Sequence, residues 1–113
     1  MPHCIIEYAK DLESAIHIPR LIQAVHAGAL KSALFDEDDI KTRATGYEHY
    51  QTGNGDLPFV HVTAKILSGR SEQQKAYLSR QILAELKSLQ LASLSLTVEV
   101  SDMTRETYAK SVT

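Results

Sequence analysis

Cysteine is nearly absent, with Cys4 alone among 113 residues. One cysteine cannot close an internal disulfide, which fits a reducing compartment. No apolar run approaches the roughly 20 residues that a bilayer crossing needs. The opening Met1-Pro2-His3-Cys4-Ile5-Ile6-Glu7 has neither the basic head nor the long apolar stretch of a signal peptide. A cytoplasmic protein with no membrane partner is therefore expected. An excess of one charge is missing too: 12 Lys and Arg stand against 14 Asp and Glu, a formal charge of -2 with no long basic run. The footprint of a nucleic-acid partner is absent.

What is present is ordinary globular composition, 43% hydrophobic and 23% charged. The length suits one core, so a single domain over residues 1–113 is expected. His3 to Tyr8 is short and apolar-biased and reads as a strand. Pro19 suits the first turn of a helix, where a missing N–H costs nothing. Ile18, Leu21, Ile22, Val25 and Ala29 then recur at helical spacing, through about Ala33. Phe35-Asp36-Glu37-Asp38-Asp39 follows as an acidic loop. Ile40 to Gln51, rich in Thr and Tyr, reads as a long strand.

Gly53-Asn54-Gly55-Asp56 is the clearest turn. Phe59 to Leu67 is a strand, with Pro58 tolerated at its start. Ser71-Glu72-Gln73-Gln74 fits a capping box and opens a second helix with an apolar stripe of Leu78, Ile82, Leu86 and Leu89. Leu94, Leu96, Val98 and Val100 alternate with polar residues as a half-buried strand. Ile22, Val25, Val60, Val62, Leu78, Ile82, Leu86, Leu96 and Val98 are expected in the core.

The order is βαββαβ. Two strand–helix–strand units, each joining parallel strands, give a four-stranded sheet with both helices on one face. A ferredoxin-like split arrangement is the competing topology. The sheet face opposite the helices is left bare, which points toward oligomerisation.

Pro2 is the first candidate for chemistry. Loss of Met1 would free its nitrogen as a secondary amine. An α-amino group titrates at about 7.7–8.0, and an apolar pocket near arginines lowers that value. A base poised near the working pH is what proton shuttling requires. Met-Pro starts also arise from processing alone, and with Met1 retained the nitrogen is an amide. Arg70 immediately precedes the capping Ser71, where anions are favoured; a solvated loop arginine is the equal alternative. Lys41 and Arg43 share one strand face, and by themselves suit a solvent-facing edge. His3, His17, His26, His49 and His61 show no ligand spacing, so no metal is expected. Cys4 lies in an apolar strand and is expected to be an inert thiol.

Pro2-His3-Cys4-Ile5-Ile6-Glu7, Ile40-Lys41-Thr42-Arg43, and Phe59-Val60-His61-Val62-Thr63 running to Ser68-Gly69-Arg70-Ser71 occur in a familiar order. Over about residues 1 to 90 the chain resembles the 5-carboxymethyl-2-hydroxymuconate isomerase family of the tautomerase superfamily. The resemblance implies an α+β tautomerase-like fold with a mixed sheet, a homotrimer with sites near subunit boundaries, and no cofactor. It implies that a dienol carboxylate, 5-carboxymethyl-2-hydroxymuconate, becomes its 2-oxo-3-ene isomer in homoprotocatechuate breakdown. Pro2 and Arg70 would be catalytic, and Lys41 and Arg43 would bind substrate. The chain departs from the family at Lys41, usually arginine, and at Cys4, where a large apolar residue is expected. Lysine lacks the bidentate fork of arginine, which leaves room for a related dienol or ketoacid. A phenylpyruvate-type keto–enol tautomerase and a non-catalytic binding module of the same fold are the rival readings.

Overall fold

The computed structural model describes residues 1–113. Four strands, β1 (Pro2–Ala9), β2 (Lys41–Tyr47), β3 (Phe59–Leu67) and β4 (Ser95–Met103), alternate with helices α1 (Pro19–Lys31) and α2 (Glu72–Lys87) in the expected βαββαβ order. The sheet runs β2-β1-β3-β4. β1 and β2 pair in parallel, as do β3 and β4, while β1 and β3 pair antiparallel at the centre. A split arrangement would insert a strand between β1 and β2, so the direct pairing His3↔Lys41 through Ala9↔Tyr47 rules it out.

Even-numbered residues of β1 and β3 face the helices. Cys4, Ile6, Val60, Val62, Ala64 and Ile66 are buried there against Leu21, Val25 and Ala29 of α1 and Leu78, Ile82 and Leu86 of α2. The two helices touch at Gly28. A Cβ on that glycine would lie 2.6 Å from the Ile82 Cα, so only a residue without one fits the crossing. At the start of α2 the Ser71 hydroxyl accepts from the Gln74 N–H at 3.1 Å, and the Gln74 side chain accepts from the Ser71 N–H at 2.9 Å. The capping box is complete.

Some expected boundaries shift. β2 stops at Tyr47 rather than Gln51, because its partner β1 ends at Ala9 and leaves no ladder beyond. Tyr50 instead packs edge-on against Phe59, with ring centroids 5.3 Å apart. α1 ends at Lys31, two residues early, since Ala33 takes the left-handed conformation at φ 61°. β4 extends to Met103, which pairs with Leu67. Ile22, Leu96 and Val98 are half-buried rather than fully enclosed. β4 is an edge strand covered by α2 alone, and Ile22 sits on the flank of α1.

Candidate active site

The antiparallel junction of the two halves builds the site. Pro2, at the start of β1, pairs with Ile66 near the end of β3. Because β3 and β4 are parallel, the segments leaving both emerge at that same end. Because β1 and β2 are parallel, the acidic segment entering β2 arrives there too. The result is a cleft of about 320 Å³ lined by Met1, Ala33, Leu34, Phe35, Asp36, Asp39, Leu67, Arg70 and Arg105. A small-metabolite site has this size.

Pro2 is fully buried. Met1 precedes it and lies in the cleft. The Met1 ammonium is 3.7 Å from Asp39 Oδ2. Burial holds its pKa below the ordinary value of 8.0, against the opposing charge of Asp39. Asp39 in turn is kept below the usual carboxylate range, first by a hydrogen bond from Lys110 and then by that ammonium. The Lys110 Nζ is 3.0 Å from Asp39 Oδ1.

Arg70 reaches across the cleft. Gly69, at φ 124°, turns the chain sharply out of β3 in a conformation that non-glycine residues rarely adopt. The Arg70 Nη2 then donates to the Leu34 carbonyl at 2.6 Å, and its guanidinium lies 5.9 Å from the Phe35 ring centroid. No carboxylate lies within 4.0 Å of it; the ion pairs of the chain involve other groups.

The structure thus brings Arg70 to the N-terminus. Lys41 stands beside the N-terminal residue, with its Nζ 3.5 Å from the Asp39 carbonyl and 3.9 Å from the Met1 sulfur. Arg43 is not brought in. It projects from the open sheet face, where its Nη1 donates to His3 Nδ1 at 3.2 Å. An arginine has no acceptor, so His3 must carry its proton on Nε2, which then donates to the Tyr108 hydroxyl at 2.8 Å. Burial first, and Arg43 second, lower the His3 pKa.

Sequence reasoning missed Arg105, Asp39 and the Leu34-Phe35 pair. The acidic run was visible as a loop, and nothing local marked it as a cleft wall. Arg105 lies 35 positions beyond Arg70, and the register Leu67↔Met103 is what makes them neighbours.

A family model described as 5-carboxymethyl-2-hydroxymuconate isomerase matches residues 2–112. The chain belongs to that family. The match extends past residue 90, where the motif resemblance stopped, and so includes β4 and the segment bearing Arg105. Among known members, the 5-carboxymethyl-2-hydroxymuconate Delta-isomerase of Escherichia coli is 28% identical over 96 residues, 83% of this chain and 75% of that protein. A 5-carboxymethyl-2-hydroxymuconate isomerase from Deinococcus radiodurans R1 superposes with a TM-score of 0.82 at 26% identity, covering 99% of this chain and 90% of the other. A 5-carboxymethyl-2-hydroxymuconate delta-isomerase crystal structure gives 0.84 at 18% identity, covering 100% and 89%, a likeness of fold. As a member of an isomerase family, the chain is an enzyme.

Proposed function

We propose that this family member converts 5-carboxymethyl-2-hydroxymuconate, or a related dienol acid, to its 2-oxo-3-ene isomer through the amine of Pro2 after loss of Met1. The carrying observation is the N-terminus seated in a cleft beside Arg70. The Pro2 nitrogen takes the proton of the 2-hydroxyl as the oxygen becomes a carbonyl. The double bonds shift along the chain, and the same nitrogen returns a proton to the terminal carbon of the conjugated system. Burial that already depresses the Met1 ammonium would favour the neutral amine of Pro2 as well. Arg70 meets the carboxylate or the charge that develops on the 2-oxygen, and Lys41 assists as a point charge at the rim.

Arg43, outward on the open sheet face, would serve a site completed across a subunit boundary. That placement and the uncovered face support a homotrimer, and solved proteins of this fold include trimers. No helix is long and apolar enough to cross a membrane, and a cytoplasmic setting in aromatic catabolism accords with the lone buried cysteine. Ultraviolet-monitored turnover by processed protein and by a variant with a blocked N-terminus tests the reading. The processed form should isomerise the dienol without added metal or cofactor; equal rates for the two refute Pro2 as base.

A further inference from the structure

We propose that Arg105, in the segment after β4, binds a second carboxylate of the substrate and sets a preference for polycarboxylate dienols. This rests on reading the cleft as the isomerase site. Three observations carry it.

The first is placement. The Ser68 N–H donates to the Met103 carbonyl at 2.9 Å, locking the segment after β4 to the loop after β3. Arg105 Nε then donates to the Ser68 carbonyl at 2.6 Å. The guanidinium packs beside the Gly69 turn, where a Cβ would lie in ordinary contact, 3.6 Å from Arg105 Nη2.

The second is unspent capacity. Nε alone is engaged in that bond, and a guanidinium has further N–H donors in a fixed fork that matches a carboxylate. The third is charge. Arg70 and Arg105 line one cleft, and neither has a carboxylate within 4.0 Å. Asp39, on the same cleft, is occupied by Lys110 at 3.0 Å. Asp36 is the remaining acid on the wall and pairs with neither arginine. Two uncompensated guanidiniums suit a ligand with two anionic ends, and Arg105 supplies a fork that Lys41 cannot.

Arg105 is exposed, so screening limits its effect to about tenfold in affinity rather than thousandfold. The rival is a clip that merely fastens the C-terminal segment to Ser68. Calorimetric titration of processed wild type, Arg105→Ala and Arg105→Lys with trans-aconitate, a tricarboxylate, and with sorbate, a conjugated monocarboxylate, separates them. The proposal expects Arg105→Ala to weaken trans-aconitate about tenfold and leave sorbate unchanged, with part of the loss restored by lysine. Equal losses for both ligands, no loss for trans-aconitate, or no binding by wild type overturns it. Dienol turnover on the same preparations keeps the two readings apart. A wild type that binds trans-aconitate but does not isomerise the dienol removes the reaction, while the affinity ratio still decides Arg105.

Discussion

Met1, which precedes Pro2, lines the cleft, so the proposed chemistry at Pro2 would depend on one peptide bond. Positioned acid–base groups contribute about 10²–10⁴-fold, and Pro2→Ala should lower kcat within or near that range while the new alanine amine keeps residual activity. If Pro2 is the base, rates of processed enzyme should rise with pH through its amine, and burial of the kind that lowers the Met1 ammonium would bring that rise below the unperturbed 7.7–8.0. A pH–rate midpoint above 8 counts against this. Arg70→Ala should fall on kcat if the guanidinium meets developing charge, and on KM if it holds a carboxylate. Cys4 belongs to the same scale. Burial pushes its thiol up to about 11, which leaves little thiolate at neutral pH. Native protein should resist iodoacetamide at pH 8 as followed by intact mass, and modification at the rate of a free thiol would show Cys4 to be accessible.

At the scale of elements, the helix crossing is the most constrained contact. Gly28→Ala should gain up to about 1 kcal/mol of helix propensity. The added Cβ, however, meets backbone of α2 at 2.6 Å, and forced overpacking costs about 1–3 kcal/mol or more. The clash should win, and a raised melting temperature for this variant would contradict the crossing. Leu86, buried at 1% exposure in the stripe of α2, should cost about 2–5 kcal/mol on truncation to alanine. Chemical denaturation measures it, and a negligible loss would place Leu86 outside the core.

For the whole molecule, pH acts through the contacts that tie the two chain ends together. His3 accepts from Arg43 and donates to Tyr108, and its folded pKa lies below 6.5. The unfolded chain therefore takes up this proton first. The contribution of neutral His3 is complete above pH 6.5 and is lost as pH falls toward the lowered value. Asp39 adds a second loss at lower pH, present above the unfolded carboxylate value of about 3.9 and lost as pH falls through its own. Melting temperatures between pH 8 and 5 should decline, and His3→Gln should flatten that decline; an unchanged slope would assign it elsewhere. Light scattering should return a trimer, and a stable monomer at micromolar concentration would weigh against completion of the site by a neighbour.

The sequence by itself determined the βαββαβ order, the helix-facing stripes and the capping box at Ser71, because periodicity and caps are local properties of a chain. It also marked Pro2, Lys41, Arg43 and Arg70, through residue chemistry and a family likeness. Strand ends were less legible: Glu48 to Gln51 have the composition of a strand, but β1 has already ended and no ladder is available. The membership of the cleft was decided by tertiary structure. Antiparallel pairing of β1 with β3, between two parallel pairs, gathers the start of the chain, the entry to β2 and the exits of β3 and β4 at one end. The register of β3 with β4 brings the segment bearing Arg105 to the cleft that Arg70 lines, and strand register is a property of pairing between distant segments, invisible in any one of them.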